Sequence, residues 1–69
     1  MSCEEKNRLT QDYQAATVTF AEAVGQLLRN VGASTMAEYE RLQRLSEQAR
    51  MKSEQARLAL EQHIAAHDC

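Results

Sequence analysis

Residues 46–52 read SEQARMK, residues 53–59 read SEQARLA and residues 60–66 read LEQHIAA. The three segments share one seven-residue frame, and YERLQRL at 39–45 extends it backwards. A period of seven spans two helical turns, so this stretch predicts a helix carrying a left-handed coiled-coil seam. With Tyr39 at position a, the a residues are Tyr39, Ser46, Ser53, Leu60 and His67, and the d residues are Leu42, Ala49, Ala56 and His63. The middle of this seam is small, with Ser46, Ala49, Ser53 and Ala56. Small side chains let a second helix come close, provided that helix brings the bulk to fill the groove.

The N-terminal half supplies that bulk. Leu9, Tyr13, Ala16, Phe20, Val24, Leu27 and Val31 follow one another in steps of 4, 3, 4, 4, 3 and 4. The mean step of about 3.67 keeps them on one face of a nearly straight helix. Leu28 flanks the stripe, Val18 points away from it, and Gly25 lies off it. At such a place a glycine weakens a helix by about 1 kcal/mol relative to alanine.

Between the halves, RNVGASTMAEYE (residues 29–40) reads as a stop followed by a start. Asn30 and Gly32 both offer a left-handed residue to close the first helix, Gly32 the more readily because it lacks a Cβ. Thr35 with Glu38 fits a capping box for the second, in which the hydroxyl accepts from an amide of the first turn and the carboxylate reaches back. Ser34 is an alternative cap, and Ser2 with Glu5 repeats the pattern at the chain start. The sequence therefore predicts helix 1 over about residues 3–31, a turn over 32–35 and helix 2 over about 36–66, in a single domain of residues 1–69. Such a short turn requires the two helices to lie antiparallel.

Composition narrows what this all-α hairpin does. Eight basic and ten acidic side chains give a net charge of −2 and no electrostatic footprint for nucleic acid. The uncharged stretches are far too short to span a bilayer. The start, MSCEEKNRL, lacks the basic region and apolar run of a secretory signal, so the expected compartment is the cytoplasm, with both cysteines reduced. Neither a glycine-rich phosphate loop nor a dinucleotide fingerprint is present, and a seam of Ala and Ser offers little concavity for catalysis. The expectation is a protein that is not an enzyme.

The acidic b positions Glu40, Glu47, Glu54 and Glu61 alternate with Arg50 and Arg57 at e, within pairing reach along the helix. The outward position f holds Arg44, Met51, Leu58 and Ala65. Two large apolar side chains two turns apart on a face meant for water, with Val18 on the back of helix 1, mark Met51, Leu58 and Val18 as an expected intermolecular face. A lone two-helix hairpin also buries only one side of each helix. The expected assembly is a homodimeric four-helix bundle, and the expected role is a scaffold or interaction protein acting through self-association or a helical partner.

The alternative lies at the termini. His63 and His67, four residues apart, share a helix face. Antiparallel arms of equal length bring Cys3 to the level of Ile64, and Cys69 follows two residues after His67. Cys3, His63, His67 and Cys69 thus supply a Cys2His2 set suited to zinc. Two other readings stay open: a Cys3–Cys69 disulfide closing nearly the whole chain, and a plain helix end whose histidines benefit from the helix dipole.

Overall fold

A computed structural model describes residues 3–67 as two helices, α1 (Cys3–Asn30) and α2 (Met36–His67), and no strand lies among the described residues. At 1.5 Å per residue the helices span about 42 and 48 Å, and the chain as a whole measures 50 × 13 × 10 Å. Those lengths fit only if α2 folds straight back along α1. The radius of gyration is 15.6 Å, against about 11 Å for a compact domain of this length. The molecule is a rod one helix pair thick.

The connection follows from its residues. Gly32 adopts φ 80°, the left-handed conformation that closes α1. The Ala33 amide donates to the Asn30 carbonyl at 3.1 Å, and the Ser34 hydroxyl donates to the same carbonyl at 2.7 Å. Ser34 therefore finishes α1 rather than starting α2. Thr35 is the cap of α2: its Oγ1 accepts from the Glu38 amide at 3.1 Å, and its carbonyl accepts from the Tyr39 amide at 2.9 Å. Only half of the expected capping box forms, because the Glu38 carboxylate turns forward to Arg41 at 2.6 Å. A guanidinium on the same helix face offers a charged partner in place of a neutral amide.

The seam runs where the heptad frame puts it. Every a and d residue from Tyr39 to His63 is buried or half-buried, while b and f residues are exposed throughout the described helix. Leu42, Ser46 and Ala49 are the buried set, with Leu42 6% exposed. Across from them Leu9, Tyr13, Ala16, Phe20, Val24 and Leu27 are half-buried. Val31 departs from the expected stripe: α1 ends one residue before it, so it falls in the turn and is exposed. No described side chain is fully buried. Large side chains on α1 meet small ones on α2, yet two helices alone leave each seam residue open on its flanks.

Candidate functional site

Four places on the rod carry side chains that packing within the hairpin does not use. The first is a trough along one flank. Ala15, Ala16, Ala49 and Ala56 form its floor, with Asp12 on one rim and Lys52 on the other, around a volume of about 400 Å³. It runs on into a second depression of about 790 Å³ whose border includes Val18, Glu22, Ala23, Gln26, Arg29 and Leu45, and Thr19 and Ala49 line both. The trough exists because the d residues Ala49 and Ala56 of α2 and the flank of α1 at Ala15, Ala16 and Thr19 are small. Leu45 is the large apolar exception and stands 42% exposed. The sequence pattern missed this flank, because alanine beside a seam reads equally as seam or surface.

The second place is the pair of outer surfaces. Met51 and Leu58 stand 54% and 47% exposed on the back of α2, and Val18 stands 57% exposed on the back of α1. Val18 also borders the second depression, whereas Met51 and Leu58 line neither, so the three residues do not form one patch. A third place, at the turn, gathers exposed Leu28, Val31 and Met36 beside a small hollow bounded by Tyr39 and Thr35.

The termini form the fourth place. Helix α1 begins at Cys3 and α2 ends at His67, so both lie at one end of the rod. His63 is half-buried on the seam. Of the expected metal set, Cys69 and the side chains of Cys3 and His67 lie outside the described residues, as does the proposed disulfide. Among the described side chains no group of three metal-ligating residues comes together. Glu5 sits near this end with its carboxyl held below the ordinary value, first by the hydrogen bond from Arg8 and, to a smaller extent, by the charges of Arg8 and His63.

The rest of the surface is a net of ion pairs within each helix. Arg8 joins Glu5 and Asp12, Arg41 joins Glu38, and Arg50 joins Glu47 at 3.4 Å and Glu54 at 2.9 Å. Arg57 reaches forward to Glu61 at 3.0 Å rather than back to Glu54, which Arg50 occupies. The Glu38 carboxyl is lowered by the hydrogen bond from Arg41, and Arg8, Arg41 and Arg50 are raised by their carboxylate partners. Lys52, on the trough's rim, joins none of these pairs. No described helix is long and apolar enough to cross a membrane. No family model, no curated protein and no solved structure matches the chain.

Proposed function

We propose that the chain is a non-enzymatic helical interaction protein that works by self-association, two hairpins closing into a four-helix bundle. The observation that carries this reading is the surface left open. A monomer of 7.8 kDa typically exposes about 4,400 Å² by the scaling of area with mass, whereas the hairpin exposes 5131 Å². The excess, roughly 700 Å², is close to the ~800 Å² that each partner contributes to a standard protein interface. A layer of helices one pair thick, with no fully buried side chain among the described residues, becomes an ordinary core when a second layer covers it. Sedimentation equilibrium at micromolar concentration tests the reading. A species of about twice 7.8 kDa is expected, and a folded single-chain mass across the whole range would refute it.

A second reading is a zinc-binding protein whose centre is built by Cys3, His63, His67 and Cys69. Its support is that the two helix ends lie at one end of the rod, with His63 on the seam. Elemental analysis after reconstitution tests it: stoichiometric zinc that disappears in the His63→Ala, His67→Ala variant is the result it requires.

A further inference from the structure

We infer that the occupant of the alanine-floored trough is a second copy of this chain, laid with its α1 against the first copy's α2 about a two-fold axis parallel to the helices. This rests on the self-association proposed above and adds to it the face and the arrangement.

Two hairpins meeting through the same flank have two symmetric choices. With the axis across the helices, α1 lies antiparallel on the partner's α1 and α2 on the partner's α2. With the axis along the helices, α1 lies on the partner's α2, and each level of one hairpin faces the same level of the other. The levels are fixed by the structure: Thr17 and Ser53 touch across the hairpin at 3.4 Å, and Asp12, Ala15 and Ala16 share the trough with Lys52 and Ala56. Residue numbers at one level therefore sum to about 68 to 70.

Charge separates the two choices. The axis across the helices, at full overlap, sets Asp12 against the partner's Glu22 and Lys52 against the partner's Lys52, like charge on like charge. The axis along them brings Lys52 to the partner's Ala15 and Ala16, one turn from the partner's Asp12, and does so twice. Among the described residues Lys52 joins no ion pair, so the contact gives it a partner, with Asp12 then shared between the partner's Lys52 and its own Arg8. The same arrangement lowers Leu45 onto the partner's α1 at Ala23, between Thr19 and Gln26, the residues that border the second depression. A large exposed side chain on α2 thus faces Thr19 and Ala23 on the partner's α1, in a depression that Glu22, Gln26 and Arg29 also border, and the two-fold repeats the fit. Met51 and Leu58, which line neither depression, remain on the outside.

The test uses full-length chains carrying Lys52→Glu or Asp12→Lys, with mass measured by sedimentation and helicity by circular dichroism. Each variant alone is expected to raise the dimer Kd about tenfold or more, since two attractions become two repulsions. An equimolar mixture is expected to restore a dimer at wild-type concentrations, because each variant then offers the charge the other lacks. Met51→Lys is expected to leave the dimer intact. A homodimer tightened by Asp12→Lys would overturn the arrangement in favour of α1 on α1. A dimer indifferent to both charge reversals, or one lost in Met51→Lys, would overturn the face. Wild-type chain that stays single and folded would instead overturn the self-association on which this rests.

Discussion

Thr17 and Ser53 stand hydroxyl to hydroxyl across the two helices, 3.4 Å apart and 36 residues apart in sequence. Their contact lies near the middle of both helices, where it fixes how far one has slid along the other. A slip by one heptad would bring Leu60 or Ser46 to Thr17 and move either Tyr13 or Phe20 off the small residues of α2. The hydroxyl pair is exposed and contributes little energy of its own. Its value is as a ruler.

Replacing both residues by cysteine, with Cys3 and Cys69 changed to serine, should therefore give a disulfide within one chain under mild oxidation. The chain-entropy estimate for a loop of this length is about 4 kcal/mol of stabilisation, reduced by any native strain. Peptide mapping and a melting curve with and without reductant check it. Cross-linking only between chains, or none, would mean that the register is wrong.

The small middle of the α2 seam carries a second prediction. Ala49 and Ser46 are buried against α1, and a larger side chain there must push the helices apart. Ala49→Leu should cost about 1–3 kcal/mol through overpacking even though it adds apolar surface. Leu42→Ala, at the most buried large residue, should cost about 2–5 kcal/mol and leave such a small protein largely unfolded. Denaturant titration at fixed protein concentration distinguishes both from Leu58→Ala, on the exposed back of α2, which should change stability little. If Ala49→Leu were stabilising, the helices would not pack as closely as described.

How far the sequence revealed this arrangement depends on the kind of signal. The heptads from Tyr39 onward located the seam because burial there repeats every seven residues, and Gly32 located the turn because few other residues accept its backbone conformation. The role of Ser34 was less legible, since its hydroxyl serves equally well at the start of one helix or the end of another. Likewise Val31 continued the stripe on paper, but the stripe stops mattering where the helix does. The trough was hidden for a different reason: its alanines are neutral to hydropathy, and only the relative placement of two helices turns them into a surface with a shape.

The two glycines should respond in opposite ways. A methyl group at Gly25 would meet the tip of the Arg29 side chain at 3.3 Å, a flexible neighbour that can swing aside. Gly25→Ala should therefore stabilise the helix by about 0.5–1 kcal/mol, raising the melting midpoint by several degrees in a domain of this size. Gly32 has open space around it but a positive φ, so Gly32→Ala should cost about 1 kcal/mol through backbone strain. Melting midpoints of the two variants, measured at equal concentration, decide it; a loss on Gly25→Ala would point to a close approach by another chain at that spot.

Acid should weaken the fold through identifiable carboxylates. Glu5 and Glu38 have folded values below their ordinary 4.5 because Arg8 and Arg41 hydrogen-bond to the ionised forms. A depressed carboxylate contributes stability that is present above the unfolded value and lost as pH falls through the folded one. The melting midpoint should thus hold steady from neutrality to about pH 5 and decline below the ordinary carboxylate range. Both groups are exposed, so the effect is modest and should shrink in high salt. The Glu5→Gln, Glu38→Gln variant should show a flatter decline than wild type; parallel curves would remove these pairs from the account.

The paired helix ends separate the two functional readings. If the chain acts by self-association, chelator should leave its melting midpoint and its mass unchanged, because the interface lies along the rod and involves no metal. If the termini form a zinc centre, the metal ties the open end of the hairpin, and its removal should lower the midpoint at every protein concentration. Binding would also release protons and weaken as pH falls toward the histidine range, since zinc requires deprotonated ligands. Native mass spectrometry with chelator and then with reductant reads oligomer, metal and disulfide in one series. We expect a dimer insensitive to both reagents. One zinc per chain, lost in His63→Ala with His67→Ala, would move the function to the termini, and a mass two protons lighter that recovers on reduction would assign them to a Cys3–Cys69 bridge instead.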